Sequence, residues 1–127
     1  MADTFKIKQR DTKPYLELTL GRVTVVGDED VFTPDDLTGL TLQHIVRLKA
    51  SGTVNAPHTN RALKASEKVD VATGKVDFRP GRDEVKLVGI HQLEVEATDP
   101  TTGEVQTYPT EGYFEFEVVD DVGDAAT

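Results

Sequence analysis

Apolar and polar residues alternate along most of this chain. Phe5 and Ile7 flank Lys6, and Leu16, Leu18 and Leu20 share one side with Glu17 and Thr19 opposite. Val23, Thr24 and Val25 resume the pattern after Gly21. Leu42, His44, Val46 and Leu48 alternate with Gln43, Ile45, Arg47 and Lys49. Val69 and Val71 lead to Ala72-Thr73-Gly74, after which Val76 and Phe78 alternate with Asp77 and Arg79. Leu93, Val95 and Ala97 alternate with Glu94, Glu96 and Thr98, and Phe114, Phe116 and Val118 with Glu115 and Glu117. A period of two residues is the signature of half-buried β-strands. Turn formers such as Asp99-Pro100-Thr101-Thr102-Gly103 separate the runs. The pattern predicts an all-β, antiparallel sandwich of seven to eight strands with little helix. One wet face on most strands argues against a parallel sheet covered by helices on both sides.

Two stretches break the alternation. Thr33-Pro34-Asp35-Asp36-Leu37 reads as a capped helical turn, with Thr33 at the N-cap and Pro34 at N1. Residues 60–67 fit either one or two helical turns or strand and loop. Asp28-Glu29-Asp30 reads as a solvated loop. Residues 120–127 are small and acidic and read as a flexible tail, leaving residues 1–119 as one domain. A length of 127 residues fits that count.

Charge sharpens the picture. The net charge is −9, from 14 Lys+Arg and 23 Asp+Glu. Residues 41–90 hold nine basic and five acidic side chains, whereas residues 91–127 hold ten acidic side chains and no Lys or Arg. An acidic chain without a basic run is a poor match for nucleic acid, whose phosphates need clustered cations. No apolar run approaches the roughly 20 residues of a membrane-spanning helix. The expected partners therefore include neither nucleic acid nor a membrane. Glu94, Glu96, Glu115 and Glu117 fall on the outward side of two late strands. The middle block supplies Arg47, Lys49, Arg79, Arg82 and Lys86 as complementary charges. These nine residues form the candidate interface, for solubility in isolation or for docking between subunits.

Catalytic chemistry finds little to work with. There is no cysteine, so thiolate catalysis and Cys-based zinc sites are excluded. His44, His58 and His91 lie far apart and form no metal-binding pair spacing. His44 occupies an apolar position and reads as a core histidine with a hydrogen-bond partner. Ser51 and Ser66 have no nucleophile motif around them. The glycines form neither a dinucleotide fingerprint nor a P-loop. The expectation is no enzyme, no cofactor and no metal. Calcium at Asp28–Asp30 is the weaker alternative to a solvated loop, because the EF-hand spacing is absent.

Several segments in order resemble the N-terminal domain of upper baseplate proteins of tailed bacteriophages. Residues 5–18 are similar to that family's opening strand and K-Q-x-D-T-x-P turn. Asp36-Leu37-Thr38-Gly39-Leu40-Thr41-Leu42 resembles its D-L-T-G-x-T-V segment. Ala72-Thr73-Gly74-Lys75-Val76-Asp77-Phe78 resembles its A-x-T-G-x-V-x-Y/F hairpin. Thr102-Gly103-Glu104-Val105-Gln106-Thr107-Tyr108-Pro109 through Gly112-Tyr113 resembles its closing strands. The resemblance implies an immunoglobulin-like, non-catalytic virion module at the tail tip or baseplate. Such a module binds other virion proteins and copies of itself and is assembled in the host bacterial cytoplasm. Because the sequence stops at this domain, decoration of the capsid, neck or a head fibre is the first alternative. A carbohydrate-binding or adhesin-like β-sandwich is the second.

Overall fold

A computed structural model of the chain describes residues 5–49, 58–109 and 114–120. Among the described residues ten strands follow in order: β1 Phe5–Lys8, β2 Leu16–Thr19, β3 Gly21–Val26, β4 Glu29–Pro34, β5 Thr41–Leu48, β6 His58–Ala62, β7 Lys75–Phe78, β8 Gly89–Thr98, β9 Val105–Tyr108 and β10 Phe114–Val119. Three 3-10 turns, Ala65–Glu67, Val71–Thr73 and Arg82–Val85, are the helical content among the described residues. The protein is all-β, as the alternation predicts.

The main sheet runs β1-β10-β8-β5-β6, with β9 pairing the same edge of β8 as β10. β9 covers Val95–Thr98 and β10 covers Gly89–Leu93, so two short strands share one edge of the ten-residue β8. Its pairings are antiparallel except one: β1 lies parallel to β10, with Ile7 opposite Val118. This corrects the expectation of a wholly antiparallel arrangement. Strands from opposite ends of the chain have no short connection, so no hairpin turn dictates their direction.

One face of this sheet is buried. Leu42, His44 and Val46 of β5, His91, Leu93, Val95 and Ala97 of β8, and Phe116 and Val118 of β10 all point into it. β2 and β7 form a separate antiparallel pair. Phe78 of β7 meets Phe116 at 5.3 Å between ring centroids and His44 at 5.0 Å. Leu18, Val76 and Phe78 thereby join one continuous core with the main sheet. The core is aliphatic and aromatic, as a chain without tryptophan or cysteine requires.

β3 and β4 form a third, two-stranded sheet. Here the local expectations fail. Glu29 to Pro34 is strand, where a loop and a capped helical turn were expected. Pro34 ends the strand opposite Gly21, where its missing N–H costs nothing. Gly21 is required by close approach, since a Cβ there would lie 2.8 Å from the Pro34 Cα and against the Thr33 carbonyl. Residues 60–67 divide between β6 and the 3-10 turn at Ala65–Glu67. Val69 and Val71 are not strand: Asp70 makes an isolated bridge to Lys75, and Val71 opens a 3-10 turn. Of the expected tail, only Asp120 lies within the described residues.

Candidate functional site

The four late carboxylates do share a face. β8 and β10 pair with Phe116 opposite His91, both buried, so Glu115 and Glu117 emerge on the same outer side as Glu94 and Glu96. The register keeps them from meeting directly: Glu115 stands opposite Gln92, Glu117 opposite Ile90, and Glu94 opposite Ile45. That spacing avoids the repulsion of like charges directly across a ladder. Lys49 Nζ lies 3.3 Å from Glu115 and Lys6 Nζ 4.0 Å from Glu117. Arg47 Nε donates to Gln92 Oε1 at 2.7 Å. The outer face thus already carries its own counter-charges, from Lys6 of β1 and from Lys49 just after β5.

The other three candidate cations lie elsewhere. Arg79 reaches Asp77 Oδ2 through Nε and Nη2, both at 3.1 Å, and its guanidinium stacks 4.2 Å over the Tyr15 ring. Arg82 opens the 3-10 turn after β7 and, like Lys86, is exposed. The structure does not bring Arg79, Arg82 and Lys86 to the carboxylate face of the same molecule.

The strongest electrostatic feature was not expected. Glu67 has no exposed surface, and Arg61 grips it with two bonds, Nη1 to Oε1 at 2.7 Å and Nη2 to Oε2 at 3.0 Å. The backbone N–H groups of Lys64 and Arg79 also donate to it, at 2.8 and 2.7 Å. Arg61 Nε is held in turn by Glu84 at 2.7 Å. Burial alone pushes the Glu67 carboxyl up. Hydrogen bonds from His44, Arg61 and the two amides outweigh it and hold the group well below the usual carboxylate range. The His44 ring is fully buried; Nε2 lies 3.0 Å from the Asp77 carbonyl oxygen and 3.5 Å from Glu67 Oε2. Both neighbours are acceptors, so Nε2 carries the proton. Nδ1 has no hydrogen-bond partner among the described residues. The expectation of a core histidine with a partner matches this geometry. The cluster ties β5, β6, β7 and two 3-10 turns together. The sequence signals for it were Glu67 three positions after Lys64 and Glu84 three positions after Gly81, both at capping-box spacing.

His91 is buried and stacks on Phe116, with centroids 5.0 Å apart and planes 16° from parallel. His58 begins β6. Asp35, expected in a helical first turn, instead accepts a hydrogen bond from the Tyr108 hydroxyl at 2.6 Å and from Arg22 Nε at 3.1 Å. Burial works against its charge, but these two donors prevail and lower its pKa. Asp28, Glu29 and Asp30 do not converge: Glu29 and Asp30 are consecutive strand residues and face opposite sides. Among the described residues, no three His, Asp or Glu side chains are arranged to hold a metal ion.

The β3–β4 ribbon is exposed over almost its whole length. Val23, Val25, Val26, Val31 and Phe32 expose between 38% and 71% of their surface. Val23 stands opposite Phe32, and with Val25 they form an apolar strip on one side. A second exposed apolar pair, Leu87 and Val88, precedes β8. Neither was anticipated as a surface feature. No protein-family model and no curated protein matches this chain.

Proposed function

We propose that this chain is a non-enzymatic structural protein of a tailed bacteriophage virion, an immunoglobulin-like β-sandwich acting at the tail or baseplate by docking and self-association. The observation that carries the docking part is the β3–β4 ribbon. An isolated two-stranded ribbon is marginal in water, and one that also displays five apolar side chains gains from a covering partner. Its open edges offer further unpaired backbone groups for strand addition. The immunoglobulin-like reading draws on the β2–β7 pair packed through Phe78 onto the main sheet.

The phage reading draws on the ordered motifs. Gly39, Gly74 and Gly103, the glycines of three of them, all adopt positive φ, at 80°, 74° and 78°. The motif glycines therefore stand where backbone geometry needs them. Arg82, Lys86 and the Glu94–Glu117 face are candidate contacts in this reading.

Mass spectrometry of purified particles from the encoding phage or prophage tests it. The chain should be present at fixed stoichiometry with tail proteins. Its absence from particles, with abundance in the lysate, would contradict the proposal. Co-purification with capsid proteins alone would move it to the decoration reading.

A further inference from the structure

The two exposed apolar features lie at opposite ends of the molecule. The ribbon springs from Leu20, whose N–H donates to the Gly74 carbonyl at 2.7 Å, at the start of β7. The Arg82–Val85 turn and Leu87–Val88 follow the other end of β7. β8 gives the same polarity: Val88 directly precedes Gly89, while Thr98, at the far end, pairs with Thr41 on the ribbon side. Ten strand residues separate these ends by about 33 Å.

Their charges are complementary. The ribbon tip carries Asp28, Glu29 and Asp30, and no cation follows Arg22 in the ribbon. Arg82 and Lys86, both exposed, precede Leu87–Val88 in the same segment. Of the two carboxylates in that segment, Glu84 is engaged by Arg61, which leaves Asp83.

We propose that the β3–β4 ribbon of one copy docks on the Leu87–Val88 patch of a second copy, so that subunits associate head to tail. The proposal rests on the reading of this chain as a self-associating docking module. Val23, Val25 and Phe32 cover Leu87 and Val88, and the acidic tip meets Arg82 and Lys86. Because the two surfaces differ and lie at opposite poles, the contact is heterologous. It grows into a ring or an open filament, not a closed two-fold dimer.

Mixing of variants tests this. Val25→Asp removes the ribbon surface and Leu87→Asp the patch. Both positions are exposed, and circular dichroism checks that the fold persists. Phe32→Ser and Val88→Asp serve as second variants at each site. Each variant alone should lower the association constant about tenfold or more. An equal mixture of Val25→Asp and Leu87→Asp chains should form a species of twice the 13.9 kDa chain mass and nothing larger. Each mixed dimer would join the one intact ribbon to the one intact patch. If Leu87→Asp leaves association untouched while Val25→Asp abolishes it, ribbons pair with each other and the proposal is wrong. If neither variant matters, another surface is used and the proposal is equally wrong. In both cases presence in the virion still stands or falls separately by particle composition.

Discussion

Arg61 and Glu67 form a two-bond pair at a point where Glu67 is sealed from solvent. Bidentate geometry and two further amide donors meet every demand of the buried carboxylate. Removing one partner leaves a buried charge uncompensated. Arg61→Ala should therefore cost about 3–5 kcal/mol in urea unfolding. Arg61→Lys should recover only part of that, because an ammonium cannot make the paired fork. A loss below 1 kcal/mol for Arg61→Ala would refute the structural role given to this pair.

Acid should unfold the protein partly through the same cluster. Glu67 and Asp35 both have carboxyl groups held below their ordinary values. Their contributions are complete above the ordinary carboxylate range near pH 4 and are lost as pH falls toward the folded values. A Glu67→Gln variant, already weakened at neutral pH, should lose less additional stability than the parent between pH 5 and pH 3. Parallel stability profiles for the two proteins would contradict this assignment.

His91 titrates in a higher window. Burial lowers its pKa, against the opposing hydrogen bond to the Gly89 carbonyl, so folding favours the neutral ring. The unfolded chain then binds more protons between the lowered value and about 6.5, and stability falls as pH drops through that interval. His91→Gln should flatten the melting-temperature profile between pH 7 and pH 5. A parent profile already flat there would be the opposite result.

Glu17 and Asp77 stand directly opposite each other on β2 and β7. Arg79 relieves Asp77 from one side, but Glu17 is exposed and faces a like charge. Glu17→Lys should raise stability by about 0.2–1 kcal/mol, read from the shift in denaturant midpoint. A lower midpoint would show that this register charge is already compensated.

Most strands were legible from alternation: in β1, β2, β5, β8 and β10 buried positions alternate with wetter ones, and β3 alternates in sequence although both of its faces are exposed. β5, β8 and β10 show this plainly, and the period of β8 and β10 is enough to place the four carboxylates on one outer face. β4 was hidden for a physical reason. Both of its faces are exposed, so burial imposes no alternation on Glu29 to Pro34, and its acidic start and its Thr-Pro end mimic a loop and a helix cap. The Arg61–Glu67 cluster was hidden because its members, His44 to Glu84, converge only through the β5–β6 pairing and the packing of β7 onto β5. No local period marks a residue whose partners lie on other elements. The same limit kept Leu87–Val88 and the ribbon from being seen as two ends of one axis.

Docking of this chain to copies of itself is the heart of its proposed function. Sedimentation velocity of the intact protein over a concentration series, at low and at high salt, tests it most directly. Species heavier than 13.9 kDa should grow with concentration and weaken as salt screens the ribbon tip from Arg82 and Lys86. A strict monomer at every concentration and salt would contradict it.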